Sequence, residues 1–390
     1  MYVSVKVFIA VMALWTPVST SKATLRRQLL QNYTKELPPN DTKTVVNLHF
    51  SAFNIIDFDD KDGKFSVSGY LEVSWEDARI AENWASSLVL QNENVSMYFK
   101  ESEVWTPEIR QMNPFSRFDY EKMVEETVMF QRNGSALMIK MDVFTTECKT
   151  DFFYFPFDSQ KCSIDIAVWG YFMEEIVLKA RKNNVGKELY EENNVWNMTG
   201  TNISIDSIPD LGTNEVFKVS KATIEFKIKR YSSYYVYFLI VPFILMQFLQ
   251  AFVFWMPWDC GERVSFSVTV LLAMAVYLTI VTEHIPKSSS SRLSFLGIKM
   301  VMDLCISAYI QLFVIVNNVI YSRSRHSEQN ASKDSENSKV TSISPNIDLN
   351  REENIDWIAR GMKMDNSCFT LSLIFTSFSM FFPMVIFILS

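Results

Sequence analysis

Histidine and cysteine are scarce in this chain: three of the first and five of the second in 390 residues. His49, His284 and His326 lie far apart and in unlike settings. No Cys/His cluster has metal-ligand spacing, and no nucleophile elbow or phosphate loop is present. An enzyme tethered to a membrane would therefore have no catalytic group to use, and no cofactor is implied. A basic patch is lacking too. The net charge is −7 and the pI about 5.3, which excludes nucleic acid as a partner.

What is present is a chain of two halves. Mean hydropathy is only +0.04, an average of a mixed, polar first part and long apolar runs after Tyr231. Residues 1–21 read as a secretory signal: Lys6, an apolar core from Val7 to Trp15, then Pro17 and small residues. The core is too short to span a bilayer. Secretion allows disulfides and N-glycans. Sequons stand at Asn32, Asn40, Asn94, Asn133, Asn197 and Asn202, and place the region before Tyr231 outside the cell. Cys148 and Cys162 fall in that half, where a bridge closing such a loop contributes about 3 kcal/mol. Cys260, Cys305 and Cys368 lie in or beside apolar spans and are expected to be unpaired.

Residues 24–44 read as a short helix and a Pro/Asn/Asp loop. From Val45 to about Lys229 the text alternates apolar and polar residues, as in KFSVSGYLEVSW and ALMIKMDVF, between Gly, Pro and Asn turns. This predicts an extracellular antiparallel β-sandwich of immunoglobulin-like type over 22–232. The run Asp57–Gly63 (DFDDKDG) looks like a calcium loop but lacks the distal bidentate Glu and flanking helices. It reads as a solvated acidic turn.

Four apolar spans follow within a membrane region: about 234–254, with Pro242; about 264–283; about 295–320; and a fourth in 367–390. Together they predict a transmembrane four-helix bundle. Between the last two, 321–366 reads as a cytoplasmic loop, polar and disordered at first, with a helix near its end. A cleaved signal and four spans leave both termini extracellular, at the plasma membrane. Arg323, Arg325, Arg360 and Lys363 flank the inner ends, whereas Lys227, Lys229 and Arg230 oppose the positive-inside rule.

The second span has a distinctive stripe. From Val264 to Thr282 it carries no charge, roughly 28 Å as a helix at about 1.5 Å per residue. Ser265, Thr269, Leu272, Val276 and Glu283 fall on one helical face, and Glu262 precedes them. Around a water-filled axis, acid rings would gather cations, hydroxyls would replace part of their hydration, and leucine would close the path by dewetting. A buried helix whose hydroxyls bond neighbouring backbone would show the same residues, so the stripe alone leaves both readings open.

The segment CKTDFFYFPFDSQKC, from Cys148 to Cys162, resembles the signature loop of the Cys-loop receptors, the pentameric ligand-gated ion channels. It stands before four spans, as in that family. WEDAR (Trp75, Asp77, Arg79) resembles the family's core strand motif and Trp105–Ile109 its WxPD segment. Arg230 matches its pre-membrane arginine, Pro242 its first-span proline, and Gly261–Arg263 the start of its pore helix. The resemblance covers nearly all of the chain after the signal, and favours the cation-selective, nicotinic acetylcholine receptor-like branch, in a divergent invertebrate-type member.

That resemblance implies a homo- or heteropentamer of like subunits in membrane lipid, possessing a pore lined by Glu262, Ser265, Thr269, Leu272, Val276 and Glu283. Monovalent cations are the expected cargo, because Cys-Gly-Glu-Arg stands where anion-selective relatives carry Pro-Ala. Carried over one at a time, the ligand positions are Trp169, Met112, Val219 and, nearby, Phe217 on one face. Tyr70, Met129, Leu137 and Ile139 form the other. Met112 and Val219 replace tyrosines, and the paired adjacent cysteines of acetylcholine-binding subunits are absent. At most half an aromatic cage is left, which implies an apolar or amphiphilic agonist, or a subunit that binds ligand only beside a different partner. Coupling between the halves is expected from Asp60, Phe155, Pro156, Phe157, Asp158 and Arg230, with Arg230 paired to Asp60, together with the Ile285–Arg292 link.

Overall fold

A computed structural model describes residues 22–40, 42–86, 95–116, 125–209, 218–257, 262–284, 294–337, 363–375 and 377. The signal segment, Asn94, Phe217, Cys260 and the Ile285–Arg292 link fall outside them. The chain divides into two compact units. The first holds residues up to 148, 161–193 and 198–228; the second holds 149–160, 194–197 and everything from 229 onward.

The first unit opens with helix α1 (Lys22–Leu29), shorter at its end than the sequence suggests, which buries Leu25 and Leu29. Among the described residues ten strands are then laid into two sheets: β1 (Thr44–Asp59), β2 (Lys64–Glu76), β3 (Met97–Lys100), β4 (Ile109–Gln111), β5 (Thr127–Phe130), β6 (Ser135–Glu147), β7 (Ser159–Val168), β8 (Ile176–Ala180), β9 (Trp196–Pro209) and β10 (Lys218–Arg230). The six-stranded sheet runs β3-β5-β6-β2-β1-β8, and the four-stranded one β4-β7-β10-β9. Pairing between the described strands is mostly antiparallel, but β1 and β8 depart from expectation and run parallel, Thr44 beside Ile176. These strands are far apart in sequence, and a crossover of that length is what parallel pairing needs.

Strand alternation decides the core. In β2, Leu71, Val73 and Trp75 are buried, while Tyr70, Glu72 and Ser74 point the other way. Phe50 of β1 meets Phe226 of β10 edge to face at 6.0 Å, and Trp75 meets Trp105 at 5.8 Å. Each such ring contributes about 1.5–3 kcal/mol on burial. Asp77 caps α2 (Ala78–Ser86) through Arg79 N–H at 3.1 Å. The Tyr33 hydroxyl donates to Asp77 at 2.7 Å. Burial, then the Asp77 carboxylate, push that phenol far above its usual pKa. The acidic turn after β1 is a hairpin bend: Asp59 accepts from the backbone N–H groups of Lys61 and Asp62. Gly63 turns there with φ +71°, and a Cβ would lie 2.6 Å from the Cys148 carbonyl oxygen. Cys148 and Cys162 are joined as a disulfide. Among the described residues no group of acids, histidines or cysteines could hold a metal ion.

Among the described residues the second unit contains three helices long and apolar enough to cross a membrane: α3 (Ser233–Trp255), α4 (Arg263–His284) and the first part of α5, Phe295–Arg323. α5 continues to Asn337, so the polar segment after Ile320 is helical at its start rather than irregular. No glycine or proline occurs from Ile298 to Asn337, and nothing local stops the helix. Residues 363–375 form α6, the described part of the fourth span. A π-helical turn, Val236–Ile240, precedes Pro242 in α3. Phe243, Val270, Met274, Val281, Leu296 and Met300 make the apolar interior.

Candidate functional site

In the β unit the expected ligand residues form two groups. Register places Tyr70 opposite Met141, Glu72 opposite Ile139 and Ser74 opposite Leu137, and Leu137 opposite Met129. Tyr70, Ile139, Leu137 and Met129 thus share one face of the six-stranded sheet. It is the face turned from the core: Ile139 and Met141 are exposed. Tyr70 leans on Phe53, ring centroids 5.6 Å apart.

The second group belongs to the four-stranded sheet. Trp169 follows β7 at a turn completed by Gly170, φ +83°, and its indole is 49% exposed. Its backbone N–H donates to the Glu108 carbonyl at 2.7 Å. Met112 N–H donates to the Asp165 carbonyl at 2.8 Å, and Val219 lies half-buried in β10. The Arg110 guanidinium, held by Glu108 through Nε at 2.9 Å, stands over the Trp169 ring at 5.4 Å. Sequence reasoning missed Arg110, although its spacing from Glu108 puts both on one side of an extended strand. The two groups lie in different sheets.

In the second unit Arg230 is almost completely enclosed. Its Nε donates to Asp158 Oδ1 at 2.8 Å and its Nη2 to Oδ2 at 3.2 Å. Both side chains are 1% exposed. Four rings surround the guanidinium: Trp196 at 4.2 Å, Phe155 at 5.2 Å, Tyr235 at 5.4 Å and Phe152 at 6.0 Å. Gln160 donates a further bond to Asp158 at 2.6 Å. Within this unit Asp158 is a carboxylate that grips Arg230; Asp60 belongs to the other unit. The Phe155–Pro156 peptide is cis, and Phe157 N–H donates to Tyr154 at 2.8 Å.

Helix α4 has two contrasting sides. Ser265, Thr269, Leu272, Val276 and Glu283 are all exposed, as is Glu262 just before the helix. Arg263, Ser267, Val270, Met274 and Val281 are buried. Leu272 is 62% exposed. Thr269 donates its hydroxyl back to the Ser265 carbonyl at 2.8 Å, so its oxygen keeps lone pairs facing outward. Of the sequon asparagines, Asn32, Asn133, Asn197 and Asn202 are exposed and Asn40 is half-buried.

One chain thus carries a two-sheet β unit and helices long and apolar enough to cross a membrane. The family is shown by comparison. Residues 22–232 match the neurotransmitter-gated ion-channel ligand binding domain, and residues 239–353 match the neurotransmitter-gated ion-channel transmembrane region. The chain belongs to the neurotransmitter-gated ion channels, and its relatives include acetylcholine receptor subunits. It is 29% identical over 282 residues to acetylcholine receptor subunit beta-type acr-2 of Caenorhabditis elegans, covering 72% of this chain and 47% of that protein. It is 27% identical over 329 residues to acetylcholine receptor subunit beta of Xenopus laevis, covering 81% and 64%. Against the neuronal subunit alpha-2 of Gallus gallus the identity is 27% over 259 residues, covering 66% and 47%. The chain thus spans about half to two-thirds of the length of these relatives.

Proposed function

We propose that this chain is one subunit of a pentameric, cation-selective channel opened by an extracellular ligand. The observation that carries the reading is the uncovered face of α4. In a single chain Leu272 and Val276 are large apolar side chains left outside the helix packing. Five copies around an axis would turn that face inward. Glu262 and Glu283 would then concentrate monovalent cations at the two mouths, Ser265 and Thr269 would line the narrow half, and the Leu272 ring would dewet the closed path. Residues 1–21 act as the signal, 22–232 face the outside, and the four spans leave both termini extracellular at the plasma membrane. The exposed sequon asparagines carry glycans.

Ligand binds between neighbouring copies. Trp169, Met112 and Val219, with Phe217, come from one subunit; Tyr70, Met129, Leu137 and Ile139 come from the next. The preference is for an apolar or amphiphilic molecule, because methionine and aliphatic side chains replace rings and Arg110 already stands over Trp169. The same observations favour a second reading, a subunit with a degenerate site that needs a different partner. Asp158, Arg230 and the Phe155–Phe157 tip couple the site to the pore.

Voltage clamp on oocytes expressing this chain alone tests the proposal, with transmitter amines, amino acids, protons and amphiphiles applied in turn. A gated current whose reversal potential follows sodium supports it. A current following chloride overturns the cation assignment. Surface expression without current, recovered by co-expressing a relative, selects the degenerate-subunit reading.

A further inference from the structure

The helix bundle contains a polar node that no part of the pore reading uses. Ser267, on the side of α4 opposite the stripe, is fully buried, and Gln250 of α3 and Gln311 of α5 are 2% and 5% exposed. The Gln250 amide N–H donates to Ser267 Oγ at 3.4 Å, and the Ser267 hydroxyl donates in turn to Gln311 Oε1. One hydroxyl thereby ties three membrane helices at one level. The chain of bonds leaves both outer ends unfinished. Among the described residues, Gln250 Oε1 and the Gln311 amide nitrogen have no hydrogen-bond partner, and Gln247, three residues earlier on α3 and 6% exposed, adds a third such atom, Oε1.

An amide O and N belong to one small rigid group. Both unfinished atoms of Gln250 and Gln311 therefore lie one amide width from the atoms that meet at Ser267. Hydrocarbon offers them nothing, and an unsatisfied amide inside a bilayer is strongly disfavoured. The inventory left over is one NH₂ donor and two carbonyl acceptors. A single hydroxyl-sized ligand complements it: it accepts from Gln311 and donates to the carbonyl oxygens. Buried waters in proteins make about three such bonds.

We propose that Gln247, Gln250, Ser267 and Gln311 frame an internal hydration site, occupied by a bound water within the membrane-spanning bundle. The site is independent of what opens the channel and of which ion passes.

The test is a density map of the purified full chain in lipid nanodiscs, at a resolution where ordered waters are visible elsewhere in the protein. A spherical peak within hydrogen-bond distance of Gln311 Nε2 and Gln250 Oε1 is expected. Gln amides closing directly on one another, with no peak, would overturn the site. A second measurement uses thermal melting in the Ser267→Ala background, where the two amides share no hydroxyl. If water bridges them, Gln250→Leu and Gln311→Leu together lower the melting temperature by less than the sum of the two single shifts. Strictly additive shifts would mean that nothing joins them.

Discussion

The hydroxyl of Tyr277 on α4 donates to the backbone carbonyl of Phe238 on α3 at 2.6 Å. Pro242 explains that partner. Proline has no N–H, so the carbonyl four residues earlier loses its helical bond. The π-helical turn at Val236–Ile240 opens the backbone at that place. Tyr277 also reaches the Leu239 carbonyl at 3.2 Å. Replacing Tyr277 by Phe keeps the ring and leaves the carbonyl orphaned, at a cost of about 1–3 kcal/mol. A lowered melting temperature for Tyr277→Phe in nanodiscs is expected. An unchanged value would show that the backbone finds another donor.

The Arg230–Asp158 pair should be among the least replaceable contacts in the second unit. Removing one partner of a buried ion pair typically costs about 3–5 kcal/mol, because a charge is left alone in a dry site. Arg230→Gln or Asp158→Asn should each abolish surface delivery or melt the protein well below wild type. The double variant Arg230→Met with Asp158→Leu should recover part of the loss. Equal loss in single and double variants would assign the effect to the four-ring cage instead.

Acid should weaken the β unit through His49. The imidazole is 4% exposed. Burial first, then Lys182 and Arg181, hold its pKa below the ordinary value, with Glu72 and Glu188 opposing. The folded state therefore favours neutral histidine. Its contribution is complete above the unfolded pKa of about 6.5 and is lost as pH falls through the lower folded value. Glu103, held below the carboxylate range by Arg26, adds a second loss under still more acidic conditions. His49→Gln should flatten the fall in melting temperature below about pH 6.5. An unchanged slope would place the sensitivity elsewhere.

Pore residues should separate by kind. Leu272→Ser puts a hydroxyl where a dewetting ring is proposed, and should give current without ligand or a many-fold lower half-maximal concentration. Glu283→Gln should reduce cation conductance while leaving ligand sensitivity close to wild type. A Leu272→Ser channel that stays shut until ligand arrives would remove Leu272 from the gate.

Features that depend on neighbours in sequence could be read in advance. The β period from Val45 onward, three of the four expected spans as helices long enough to cross a membrane, and the placing of Ser265 to Glu283 on one face all follow from the side-chain order along one strand or helix. The Cys148–Cys162 loop belongs with them, since its residues are contiguous. The extent of α5 was less legible: polar composition suggested disorder after Ile320, yet without glycine or proline the helix runs to Asn337.

Tertiary structure decided which distant groups meet. The folded Cys148–Cys162 segment brings Asp158 to the Arg230 guanidinium, across 72 positions of sequence. The parallel seat of β8 beside β1, the Arg110 guanidinium over Trp169 and the meeting of Gln250, Ser267 and Gln311 are of the same kind. Sequence by itself determined the elements and their faces, because helix and strand periodicity are local. The partners of buried polar groups were settled by the fold, because hydrogen-bonding reach is only about 3 Å and the chain must fold back before two such groups come within it.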